Sequence, residues 1–92
     1  MTELNKLAVM LARAGIPFEI KAFNIDKMAT WSIVYPCDAL KKISAVSHQY
    51  SYGGRSGLIE ILEIERNEAV GFLSAESAFE WFKDFNGGME NA

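Results

Sequence analysis

Apolar residues in the first stretch of the chain, Leu4, Leu7, Ala8, Leu11 and Ala14, recur at three- and four-residue intervals, with Glu3, Asn5, Lys6 and Arg13 between them. That spacing places the apolar set on one side of a helix and leaves the other side wet. Thr2 offers a capping oxygen and Gly15 followed by Pro17 supplies a stop, so a helix is predicted over about residues 3–14. Near the other end Ala75, Ala78, Phe79, Phe82 and Phe85 form a second stripe, with Ser74 as N-cap and Glu76 at the positive end of the helix dipole. This predicts a helix over about residues 75–85, closed by Gly87. Trp81 sits beside the stripe and widens it enough to touch a partner. The tail, 87–92, has little to bury and is expected to fray.

Between the helices the period shifts toward two. Phe18, Ile20 and Ala22 alternate with Glu19 and Lys21, and a β-rich run from Thr30 to Tyr35 halts at Pro36. The short polar link from Asn24 to Lys27 makes these two strands a hairpin. A third strand is expected over Ile43 to Tyr50, and another over Ala69 to Leu73. The segment from Leu58 to Ile64 fits both a helix face, through Leu58, Ile61 and Leu62, and strand parity. Strand is favoured by the preceding Gly57, by β-branched Ile59, Ile61 and Ile64, and by the turn signal Arg66-Asn67-Glu68. The sum is a single α+β domain over 1–92: an antiparallel sheet of about five strands, with the N-terminal and C-terminal helices on one face. The opposite sheet face is then exposed or shared with a second subunit, and is a place to look for function.

Composition narrows the classes. Half of the 92 residues are apolar, enough for one core and too few for two domains. Small domains often gain stability by self-association, so a homodimer is one expectation. The net charge of −3, with acidic and basic residues interspersed, supplies no field for non-specific nucleic-acid binding. No apolar run approaches the roughly 20 residues of a membrane span, and no signal-peptide pattern opens the chain. Cys37 is the only cysteine, which agrees with a reducing cytoplasm. One histidine and one cysteine amid dispersed carboxylates lead us to expect no metal site and no cofactor.

The most distinctive segment is His48-Gln49-Tyr50-Ser51-Tyr52-Gly53-Gly54-Arg55-Ser56-Gly57. If residues 46–52 stay extended, Val46, His48, Tyr50 and Tyr52 project from one face beside the Arg55 guanidinium, an anion clamp. Gly53, Gly54 and Gly57 then allow backbone N–H groups to turn toward a bound anion. The plainer reading makes Gly53-Gly54 a turn and lets the tyrosines cover the sheet edge. No phosphate-loop lysine or dinucleotide spacing accompanies these glycines. Glu60 falls on the opposite parity from Glu63 and Glu65, and is expected near the loop as a partner of Arg55. His48 lacks a positioned catalytic partner and reads as a structural or ligand-contacting group; no catalytic residue is assigned. Cys37 reads as structural, and Trp31, Tyr35, Phe79 and Phe82 as core.

The runs Ile33-Val34-Tyr35-Pro36, His48-Gln49-Tyr50-Ser51-Tyr52-Gly53-Gly54 with Gly57-Leu58-Ile59-Glu60-Ile61, and Val70-Gly71-Phe72-Leu73-Ser74-Ala75-Glu76 with Phe79 span most of the chain. Together they resemble small uncharacterised proteins of phages and prophages in Gram-positive bacteria. The resemblance implies an accessory protein acting in the bacterial cytoplasm, where such domains bind and disable host components or signals. It favours binding over catalysis and names no target.

Three functional expectations result. The first is a non-enzymatic module holding a nucleotide-like anionic ligand through His48, Tyr50, Tyr52, Gly53, Gly54, Arg55, Gly57 and Glu60, in counter-defence. The second is an inhibitor engaging a host protein through the exposed sheet face, although −3 is weak for nucleic-acid mimicry. A small enzyme comes third, because no nucleophile–base pair can be named.

Overall fold

The computed structural model describes the backbone of residues 1–91 and the side chains of residues 1–87. The first helix, α1 (Glu3–Ala14), begins where Thr2 Oγ1 accepts the Asn5 N–H at 3.1 Å. It ends at Gly15, whose φ of 71° lets the next N–H, that of Ile16, return to the Leu11 carbonyl. Strands β1 (Glu19–Ile25) and β2 (Met28–Tyr35) form the expected hairpin. Its turn is tighter than the polar link suggested: Asn24 and Ile25 stay in the strand, and Asp26 and Lys27 alone turn, both at positive φ. Two residues at positive φ match the right-handed twist of the strands they join. Strands β3 (Ile43–Val46), β4 (Ile59–Glu63) and β5 (Glu68–Leu73) complete an antiparallel sheet of order β1-β2-β3-β4-β5, and α2 (Ala75–Asn91) closes the chain.

The segment 58–64 thus takes the strand alternative, with Ile59–Glu63 in the ladder. Strand ends elsewhere shift by one to three residues, and two boundaries differ more from expectation. The third strand stops at Val46 rather than Tyr50, because Ser51 captures the chain locally: its Oγ accepts the His48 N–H and donates to the His48 carbonyl. Such side-chain bonds offer the backbone an alternative to the ladder. The second helix does not stop before Gly87 but continues to Asn91. Phe85 packs against the core, and the Tyr35 hydroxyl donates to Asn86 Oδ1 at 3.1 Å, so tertiary contacts carry the helix past the glycine. The frayed tail expected over 87–92 is thus helical as far as Asn91, and residue 92 lies outside the described residues.

Directly opposed residues in neighbouring strands share a sheet face. Ile33, Ala45 and Ile61 align across β2, β3 and β4, and with Tyr35, Ile43 and Ile59 they form the floor on which both helices lie. Leu4, Leu7 and Leu11 from α1 and Ala75, Ala78 and Phe82 from α2 fill the layer above. The Tyr35 and Phe82 rings meet edge to face at 6.1 Å. Glu3 joins the two helix starts: Oε1 accepts the Ala75 N–H at 2.8 Å, and Oε2 pairs with Lys6 at 3.2 Å. The Ala75 N–H, then Lys6, hold the Glu3 carboxyl below its ordinary pKa.

The face opposite the helices is not open across its centre, contrary to expectation. Ser32, Val34 and Ser44 lie on it, and Val34 is only 1% exposed. Connections from both sides fold over it. Asp38 donates its N–H to Glu19 and pairs with Lys21, while the His48 ring meets Phe23 and the Tyr52 N–H reaches Glu60.

Candidate functional site

The connection between β3 and β4, residues 47–58, is closed on itself before it presents anything to solvent. Ser47 Oγ donates to the Leu58 carbonyl at 2.9 Å and ties its base. A turn at His48–Ser51 leads into a second at Ser51–Gly54, and then into a single 3-10 turn, Gly54–Ser56. The N–H groups of Gly54, Ser56, Gly57 and Leu58 all donate to carbonyls within this loop. The expected use of these glycines, turning N–H groups toward an anion, therefore fails at Gly54 and Gly57. Close packing explains Gly54 instead: a Cβ there would collide with the His48 carbonyl and Ser51 Oγ.

The loop docks on the edge strand. The Phe72 N–H donates to the Tyr52 carbonyl at 3.2 Å, Gly71 has no room for a Cβ beside Tyr52, and a Cβ on Gly53 would lie 2.8 Å from the Phe72 backbone. At that point β5 carries an extra residue. Ile59 pairs with Leu73 but Ile61 pairs with Val70, so Gly71 and Phe72 bulge opposite Glu60. The bulge throws Phe72 to a φ of 59° and leaves its side chain 67% exposed. Tyr52, 60% exposed, stands next to it. Between them lies an open pocket of about 420 Å³ lined by Gln49, Ser51, Tyr52, Gly53, Arg55, Ser56 and Phe72. Arg55 forms no ion pair among the described residues, so its guanidinium is available to the pocket.

The expected site residues divide three ways. Tyr52, Gly53 and Arg55 line the pocket. His48 and Tyr50 do not, because residues 46–52 turn rather than extend. The turn sends these two toward the β1–β2 hairpin, where the Tyr50 hydroxyl donates to Asp26 Oδ2 at 2.6 Å and His48 Nδ1 accepts the Tyr50 N–H at 3.1 Å. The Asp26 carboxylate raises the Tyr50 phenol above its ordinary pKa. Gly54, Gly57 and Glu60 hold the loop's shape, and Glu60 Oε2 accepts the Tyr52 N–H at 3.4 Å instead of pairing with Arg55.

Phe72 is the site residue that sequence reasoning missed, together with Gln49, Ser51 and Ser56. Read as one more apolar position of a strand, Phe72 gave no sign of facing solvent. The available signal was Gly71, since a glycine inside a strand marks a bulge or a close backbone approach. Compared with known proteins, the chain matches no family model, no curated protein and no solved structure.

Proposed function

We propose that this chain is a non-enzymatic binding module that captures a nucleotide-like ligand, its base against Tyr52 and Phe72 and its anionic group on Arg55. The observation that carries the reading is Phe72. A bulky residue in left-handed backbone costs on the order of 1–2 kcal/mol, and exposed on an edge strand its ring returns little burial in exchange. Strain retained under an exposed aromatic, beside a second exposed aromatic and an unpaired guanidinium, fits a surface kept for contact with a ligand. Stacking is worth about 1–3 kcal/mol per base, and charge-assisted hydrogen bonds to a phosphate add about 1.5–3 kcal/mol. After ordering costs, terms of this size correspond to dissociation constants of roughly millimolar or weaker. The proposal keeps the phage-type role implied by the sequence resemblance, depletion of a host signal by an accessory protein.

Capture of a host protein through the sheet face opposite the helices has less support, because Ser32, Val34 and Ser44 are already covered by the chain's own loops. A thermal-shift panel of nucleotides and cyclic nucleotides tests the ligand reading. Stabilisation is expected from at least one of them, and Arg55→Ala and Phe72→Ala should each remove it while leaving the fold intact. Silence across the panel would sink the reading.

A further inference from the structure

We infer that the pocket selects ligands bearing a single phosphate and discriminates against di- and triphosphates. The inference rests on the binding reading above and deepens it by counting the groups able to neutralise an anion there. Arg55 is the only lysine or arginine between residues 43 and 65 and, among the described residues, the only cationic side chain lining the pocket. Four backbone donors of the loop add nothing to it: the N–H groups of Gly54, Ser56, Gly57 and Leu58 are held by carbonyls inside the loop. The Ser51 hydroxyl donates to the His48 carbonyl, which removes its proton from the pocket as well. The positive charge that remains is one guanidinium fork, suited to two oxygens of one phosphate, with only the neutral donors of Gln49, Tyr52 and Ser56 around it.

Added phosphates meet no second cation. They meet instead the repulsion of a chain of net charge −3 that the single guanidinium no longer offsets.

Isothermal titration of the full chain, without divalent metal, with the four ribonucleoside 5′-monophosphates and the matching triphosphates tests this. At least one monophosphate should bind, with its triphosphate at least about tenfold weaker, and Arg55→Ala should erase that difference. A triphosphate binding as tightly as its monophosphate, or tighter, overturns the single-phosphate inference and leaves the binding reading standing. No heat from any nucleotide, with folding of the sample confirmed by circular dichroism, overturns the binding reading itself and this inference with it.

Discussion

Phe72 and Phe82 are the same side chain used in opposite ways. Phe82 is fully buried, stacked edge to face with Tyr35 in the layer where the helices meet the sheet. Phe72 is two-thirds exposed and sits on a bulge whose backbone favours glycine or asparagine. One ring belongs to the stability of the domain, and the other stands where stability alone would not place it. The difference separates a core from a contact surface more sharply than hydrophobicity does, because the residue type is held constant.

The strongest way to break this contrast is to truncate both rings. Phe82→Ala should destabilise the domain by about 3–5 kcal/mol, the usual range for emptying a core aromatic site. Phe72→Gly should not destabilise it measurably, because relief of left-handed strain offsets the greater freedom of the unfolded chain. Urea unfolding of the two variants decides the point; a Phe72→Gly loss approaching that of Phe82→Ala would make Phe72 a packing residue and remove the main support for the pocket. Next in size, Gly54→Ala should cost roughly 1–3 kcal/mol or more through overpacking against the His48 carbonyl. Gly57→Ala meets open space and should lose only the smaller penalty of its positive φ. Comparable losses at the two glycines, read by thermal unfolding, would contradict the account of the loop as held from within.

The smallest effect concerns pH on the core side. Glu3 is held below its ordinary carboxyl pKa by the Ala75 N–H and then Lys6, so its contribution is fully present above about 4.5 and disappears as pH falls through its lower folded value. Glu3→Gln should flatten the acid limb of the stability profile, measured as urea midpoints from neutral pH downward, without altering ligand binding at the remote pocket.

The same division explains what the sequence made legible. Thr2 and Gly15 delimit α1, the stripe from Ala75 to Phe85 marks α2, and β-branched residues argue for strand over 59–63, because each signal is local and the burial pattern reinforces it. The sheet with both helices on one side followed from those elements. At the candidate site the local signals competed. His48 to Tyr52 carries strand-like composition, but the Ser51 hydroxyl closes a turn, and that choice sends Tyr50 to Asp26 and Tyr52 to Phe72. The position of Phe72 depends on a register shift between β4 and β5, a property of two strands together that periodicity within either one does not encode. Tyr52 and Arg55 were identifiable by type, whereas their partner ring was not.

Every strand in this sheet pairs only with its neighbours along the chain, so the sheet can assemble hairpin by hairpin with modest loop-closure entropy at each step. The long closure is left to the chain's two extremities, where Glu3 meets the Ala75 N–H and the helices pack together. Contact order is thus low within the sheet and rises where the two helices dock on it and on each other. The domain is built like a ribbon fastened by one clasp, and substitutions at that clasp bear on how quickly the whole becomes cooperative.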